Sequence, residues 1–283
     1  MKKILYATDF SENAEKAFIQ ALKIAQKHKA NLIMLHVFDI PTSWNYPYTE
    51  DALEMERQAI CESENKLKGI FDQYAKDINI KYIAAESTSI VKAIISVIRE
   101  NDPGLVVIGT KGGSKVKEVI VGSTTKELIN KSPVPVLAVP ENAVDSDLKK
   151  ILYATDLHEA DIPALKKLTA LVRPFDSEIT VTHVSTPNEY KGAEKMEWFK
   201  DLVKDRINYD GITIQLLLVD NIYEELNAYI NQQGFNLLVM LEKERKGIVD
   251  RLFHSDLVKK MEFHTSIPLL SFNEHYLRVL EKK

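Results

Sequence analysis

Apolar residues in the first half of the chain fall into short runs, separated by longer stretches with helical periodicity. Five short runs predict β-strands, at residues 4–8, 32–37, 80–85, 105–108 and 136–139. The intervening patterns predict helices at residues 14–27, 52–75, 90–100 and 124–130. Strands that alternate with helices are typical of right-handed crossovers and of a parallel sheet buried on both faces. The pattern therefore predicts an α/β fold.

The same order of runs occurs twice. Residues 2–10 read KKILYATDF and residues 149–157 read KKILYATDL, so eight of nine positions agree. Near the ends of the two copies, SPVPVLAV at residues 132–139 corresponds to TSIPLLSF at residues 265–272. The repeat predicts two tandem five-stranded domains, at residues 1–142 and 147–283. An added segment at residues 274–280 follows the second copy.

Composition narrows the class of protein. Hydrophobic residues make up 45% and charged residues 28% of the 283 positions, which is too apolar for a disordered chain. The net charge is −4 and neither half is basic, so nucleic acid is not expected as a ligand. Cys61 is the single cysteine, which excludes an intrachain disulfide and a thiolate zinc site; on its helix we expect a partly buried, inert thiol. No apolar run is long enough for a membrane span or a secretory signal, which predicts a cytoplasmic protein without membrane contacts.

A glycine-rich stretch carries the candidate chemistry. Four of the ten glycines lie between Gly109 and Gly122, directly after an apolar strand and before a helix. Glycines let backbone N–H groups approach an anion, and the first N–H groups of a helix lack intrahelical partners. The stretch therefore predicts a phosphate cradle, with a tight turn and Ser123 as a helix cap as the alternative. It is not a Walker A loop, because Ser114 stands where that motif needs glycine.

These residues resemble a known family. The spacing Gly109-x2-Gly112-x9-Gly122-Ser123 resembles the motif of nucleotide-binding universal stress proteins, as does Thr8-Asp9 after the opening strand. The resemblance implies, for each copy, a doubly wound parallel sheet with strand order 3-2-1-4-5, similar to the adenine nucleotide alpha-hydrolase-like fold. In that order the first and fourth strands are neighbours, and ligands bind beyond their carboxyl ends.

The resemblance also implies a site for ATP, with Mg²⁺ held through phosphate oxygens. The adenine and ribose side would be lined by Ala7, Thr8, Asp9 and Val37. The ribose and α-phosphate would be bordered by Ile108, Gly109, Lys111 and Gly112. The phosphate tail would be held by Gly122, Ser123 and Thr124. Asp9 has an alternative role, because aspartate readily caps turns and helix starts.

The second copy has lost the glycine loop. Leu241, Glu244 and His254 stand at the positions of the three glycines, so we do not expect this copy to bind ATP in the same manner. The fifth strands, at residues 136–139 and 269–272, would be exposed apolar edges unless they are covered. We expect the two domains to pair through these edges; the alternative is two separate domains with edges shielded by residues 274–280.

The sequence thus predicts a tandem universal stress protein that binds ATP and acts in nucleotide-dependent signalling or stress survival through an unidentified protein partner. The alternative is a scaffold of the same fold that binds no nucleotide. No general base or nucleophile is visible, so we do not expect an enzyme. The aromatic segment at residues 41–48 either covers the adenine pocket or packs on the following helix. His36 and His183 recur at the same strand end, which indicates packing.

Overall fold

A computed structural model describes residues 1–39, 50–110, 122–144, 147–187, 193–242 and 267–281. The aromatic segment at residues 41–48 lies outside these ranges. The first half contains β1 (Lys3–Thr8), α1 (Glu12–His28), β2 (Asn31–Phe38), α2 (Glu50–Phe71), β3 (Ile80–Glu86), α3 (Ile90–Asn101), β4 (Val106–Gly109), α4 (Ser123–Lys131) and β5 (Val136–Val139).

The second half repeats this order over its described residues. It contains β6 (Lys150–Ala154), α5 (Asp161–Val172), β7 (Glu178–Ser185), α6 (Ala193–Arg206), β8 (Ile212–Leu218), α7 (Ile222–Gln233), β9 (Leu237–Glu242), β10 (Leu269–Asn273) and α8 (Glu274–Glu281). Short 3₁₀ segments at Asp72–Asp77 and Arg173–Phe175 follow α2 and α5. The long helix of the first half therefore ends before residue 75, where the periodicity places its end, because the chain tightens into 3₁₀ geometry at Asp72.

The ten described strands form one continuous sheet in the order β3-β2-β1-β4-β5-β10-β9-β6-β7-β8. Each half has the order 3-2-1-4-5, and its strands are parallel to one another. The two halves meet where β5 pairs with β10 in antiparallel orientation. Both joining strands are buried, so the apolar fifth strands lie in the middle of the sheet and not at its edges.

Helices cover both faces of this sheet in two apolar layers. One layer packs α1, α2, α5, α6 and α8 against one face, and the other packs α3, α4 and α7 against the opposite face. Successive side chains of a strand point to opposite faces, so neighbouring residues such as Leu5 and Tyr6 belong to different layers. This alternation decides on which face of the sheet each candidate residue lies.

Candidate functional site

The candidate crevice opens where β1 and β4 end side by side. Ala7 of β1 is in register with Ile108 of β4, and both strands run in the same direction. The chain therefore leaves β1 after Thr8 and leaves β4 after Gly109 at the same edge of the sheet. On one side of this point the sheet continues to β2 and on the other to β5, which makes it the topological switch point of the first half.

Three apolar candidates from three strands lie on one face of the sheet at this edge. Ala7 and Ile108 are buried within the layer that also contains α3 and α4, and Val37 packs against the same layer. The relative exposures of Ala7 and Ile108 are 7% and 9%, so a small part of each remains accessible. Ala7, Val37 and Ile108 thus form one apolar wall on the face that α4 covers.

The turn after β1 is ordered by its own polar side chains. The Thr8 hydroxyl accepts a hydrogen bond from the Phe10 backbone N–H at 3.0 Å, and Phe10 adopts a left-handed φ of 62°. An oxygen of Asp9 accepts from the Ser11 N–H at 3.0 Å, and the Ser11 side chain then caps α1 through Ala14. Asp9 therefore stabilises the turn before α1, as aspartate commonly does. A carboxylate has about four acceptor positions, so this role is compatible with contact to a ligand.

His36 ties the end of β2 to this turn. Its Nδ1 lies 2.9 Å from the Thr8 carbonyl oxygen, which makes Nδ1 the donor, and its ring centroid is 4.3 Å from that of Phe10. In the second half, Nδ1 of His183 lies 2.8 Å from the Thr155 carbonyl oxygen. The recurrence of histidine in both copies therefore has a structural cause, a side-chain bond that fixes the turn after the first strand.

The structure describes the two ends of the glycine-rich stretch, up to Thr110 and from Gly122 onward. Gly109 closes β4 in register with Val139, and the Thr110 N–H donates to the Val139 carbonyl at 2.9 Å. Lys111 and Gly112 lie outside the described residues. The Thr110 hydroxyl is buried and has no hydrogen-bond partner among the residues that the structure describes.

Helix α4 begins at Ser123, and Gly122 is its N-cap with φ −63° and ψ 158°. The alternative in which Ser123 caps the helix is therefore wrong, because Ser123 already has helical geometry. A glycine cap has no side-chain oxygen to accept from the first-turn N–H groups. Ser123 is exposed and Thr124 is partly exposed, at the end of α4 where the first-turn N–H groups lack intrahelical partners.

Comparisons with known proteins place the chain in a family. The family model described as the universal stress protein family matches residues 1–140. A universal stress protein of Methanocaldococcus jannaschii is 28% identical over 158 residues, which cover 49% of this chain and 94% of the relative. The chain belongs to the universal stress protein family.

Solved structures share the fold of this universal stress protein over nearly its full length. A universal stress protein from Archaeoglobus fulgidus has a TM-score of 0.70 at 17% identity, and the match covers 96% of this chain and 98% of the other. A structure from Pseudomonas aeruginosa has a TM-score of 0.65 at 14% identity and covers 100% of this chain and 97% of its own. These matches show that the α/β fold is shared across both halves.

In the second half of this universal stress protein, a buried polar network orders the turn after β6. Asp161 is 1% exposed and stands where the first half has Ala14. Its carboxyl oxygens accept from the Tyr153 hydroxyl at 2.7 Å, the Thr155 hydroxyl at 2.9 Å and the His158 N–H at 3.1 Å. Burial, and then the Asp161 charge, raises the pKa of Tyr153 well above 10.0.

In the second half, side chains stand at the positions of the three motif glycines. Leu241, at the position of Gly109, is a buried residue of β9, so its side chain packs in the apolar layer. Glu244 and His254 lie outside the described residues. The Lys195 ammonium donates to the Asp156 carbonyl at 2.9 Å, which places a side chain of α6 at the turn after β6.

Thr110, Phe10 and Asp161 were not among the residues that the motif singled out. Thr110 follows Gly109 directly, and a polar residue at the end of a buried strand is a signal that could have drawn attention to it. Asp161 could have been found as a charged residue on an otherwise apolar helix face. Cys61 is exposed on α2, so the expectation of a partly buried thiol was wrong.

The described residues also bear on membrane and metal binding. None of the helices there has the length and apolar character needed to cross a membrane. In the same part of the chain, no group of three or more His, Cys, Asp or Glu side chains could hold a metal ion. Magnesium held through phosphate oxygens remains a prediction that does not depend on such a group.

Proposed function

We propose that this universal stress protein binds ATP in the crevice between β1 and β4 of its first half. The observation that carries the proposal is the apolar wall formed by Ala7, Val37 and Ile108 beside the switch point. Ligand sites of open α/β sheets lie at such points, and flat apolar walls suit a purine ring. Thr8 and Asp9 follow the wall at the end of β1 and would meet the adenine and ribose side.

The phosphate tail would lie against the start of α4. Gly122 leaves the first-turn N–H groups without a side-chain cap, and Ser123 and Thr124 are the first two residues of the helix. Helix N-termini carry partial positive charge and favour anions. The resemblance adds Gly109, Lys111 and Gly112 to this end of the site. The buried Thr110 hydroxyl supports a polar ligand here, because it lacks a partner among the described residues. Bound ATP would supply phosphate oxygens that hold Mg²⁺.

The second half would serve as the structural partner of the first. Its turn after β6 is held by the Asp161 network, and Leu241 replaces a glycine of the motif. We expect no ATP site of the same kind there. The protein would act in nucleotide-dependent signalling or stress survival through a partner protein, without rapid turnover.

The test is to identify the nucleotide that co-purifies with the full-length chain, by mass spectrometry after denaturation, and to titrate the nucleotide-free protein with ATP by calorimetry. We expect one adenine nucleotide per chain. Two equivalent sites would contradict the assignment to the first half. Absence of binding would favour the scaffold without nucleotide.

A further inference from the structure

The Asn273 side chain of the second half forms hydrogen bonds to the candidate phosphate helix of the first half. Its amide nitrogen donates to the Asn130 carbonyl oxygen at 2.9 Å and lies 3.5 Å from the Ile129 carbonyl oxygen. Both carbonyls belong to the last turn of α4, where four carbonyl groups lack intrahelical partners. A donor from the other half of the chain therefore caps the carboxyl end of α4.

The same amide also begins the C-terminal helix. The Asn273 side-chain oxygen accepts from the His275 N–H at 3.1 Å, in the first turn of α8. This is the contact of an N-cap residue. We call the bonds from Asn273 to α4 and α8 the Asn273 clasp. Asparagine suits it because one side chain supplies both a donor and an acceptor, whereas aspartate supplies acceptors alone when it is ionised.

The clasp acts on a helix whose position depends on both halves. Helix α4 has nine residues, and isolated helices of this length are unstable in water. It packs against α3 and β5 of the first half and against β10 of the second. Nine residues at 1.5 Å per residue span only about 13.5 Å, so we expect a shift at the carboxyl end of α4 to move the N–H groups at its start.

The two halves differ at the position of the clasp. In the repeat, Pro140 of the first half corresponds to Asn273 of the second, and proline has no side-chain amide. The clasp therefore has no counterpart at Pro140. It holds the helix of the half that keeps Gly109, Gly112 and Gly122.

We propose that Asn273 is a positioning residue for the nucleotide site: through the clasp, the second half holds α4 in the orientation that binds phosphate. This inference rests on the proposed function. A site whose N–H groups are already oriented binds its ligand without the cost of ordering them. Loss of the clasp should weaken binding of the phosphate tail and leave binding of the nucleoside almost unchanged.

The test is calorimetric titration of the full-length chain with ATP and with adenosine. Asn273→Asp keeps the α8 cap but replaces the donor with a negative charge at the carboxyl end of α4. Asn273→Ser also keeps a cap, is neutral and is too short to reach Asn130. The matched controls are Asn221→Asp and Asn221→Ser, because Asn221 caps α7 through the Glu224 N–H and does not touch α4.

We expect both Asn273 variants to raise the Kd for ATP by roughly fivefold to tenfold, at the lower end of typical coupling between sites. The Kd of the Asn273 variants for adenosine should equal that of the wild type. Both Asn221 variants should bind ATP and adenosine with the wild-type Kd. Hydrogen exchange without ligand should show faster exchange of the α4 amides in the Asn273 variants alone. Unchanged ATP affinity in both Asn273 variants, or an equal loss for adenosine, would overturn the positioning role while the proposed function stands. A wild-type chain that binds no adenine nucleotide would overturn both.

Discussion

Leu137 of β5 lies directly opposite Leu270 of β10, on the antiparallel pair that joins the two halves of the sheet. Their exposures are 1% and 0%, and both side chains belong to the apolar layer that contains α1 and α5. The pair links two copies of one unit through a shared core. The two halves should therefore depend on each other for stability.

Replacing either leucine with alanine should lower the free energy of unfolding of the full chain by about 2–5 kcal/mol, because each change leaves a cavity in a buried layer. The double variant Leu137→Ala with Leu270→Ala should be non-additive by about 0.5–3 kcal/mol, since the two residues are neighbours. Urea denaturation measures the free energy of unfolding of the two single variants and of the double variant. Leu218→Ala is the control, because Leu218 of the edge strand β8 is 46% exposed. Strict additivity would show that the pair does not couple the halves.

Replacing Gly122 with valine should abolish measurable ATP binding and preserve the fold. The φ of −63° at Gly122 is accessible to any residue, so the change strains no backbone angle. The added side chain would stand over the first-turn N–H groups that we assign to phosphate. Calorimetry with ATP measures the loss of binding, and circular dichroism checks that the fold is preserved.

Gly69→Val is the control for Gly122→Val. A Cβ at Gly69 of α2 meets no atom within 4 Å, so a side chain is tolerated there. ATP binding of this control should equal that of the wild type. Equal ATP affinity in Gly122→Val would remove α4 from the site.

The free energy of unfolding should fall as the pH rises above about 10. Burial and the Asp161 charge raise the pKa of Tyr153, so the folded state holds this proton more tightly than the unfolded state. The contribution is complete below pH 10 and is lost as the pH rises toward the folded pKa, by up to about 1.4 kcal/mol per pH unit. Urea denaturation at pH 9, 10 and 11 measures the slope.

Tyr153→Phe should reduce this slope and also lower stability at neutral pH, since Asp161 loses a hydrogen bond worth about 1.5–3 kcal/mol. Tyr74→Phe is the control, because Tyr74 is 41% exposed. Wild-type and Tyr153→Phe slopes that coincide above pH 10 would be inconsistent with this explanation.

ATP hydrolysis by the purified chain should be far slower than the rates of about 1–10³ per second that are typical of enzymes. The reason is that no general base or nucleophile is identified among the residues assigned to the site, where the Asp9 carboxylate would meet the adenine and ribose side. A phosphate-release assay on the wild type and on Gly122→Val measures this. Hydrolysis at enzyme rates that Gly122→Val abolishes would reverse the expectation that the protein is not an enzyme.

Local patterns accounted for most of the elements and for the location of the candidate crevice. The repeated KKILYATD segment predicts β1 and β6, and the glycine spacing predicts the loop between β4 and α4. These predictions succeed because alternation and turn residues act over a few neighbouring positions. The Gly122 cap was missed because serine and glycine are both acceptable caps, and only the backbone angles distinguish them.

The sequence by itself determined the doubled unit, the alternation of strands and helices, and the half that keeps the glycine motif. Only the tertiary structure decided the register of Leu137 with Leu270, the burial of Asp161 under Tyr153, and the contact from Asn273 to Asn130. Asn273 and Asn130 are 143 residues apart. Contacts of this kind depend on how the two halves are oriented when their apolar strands pair, and no local pattern along the chain encodes that orientation.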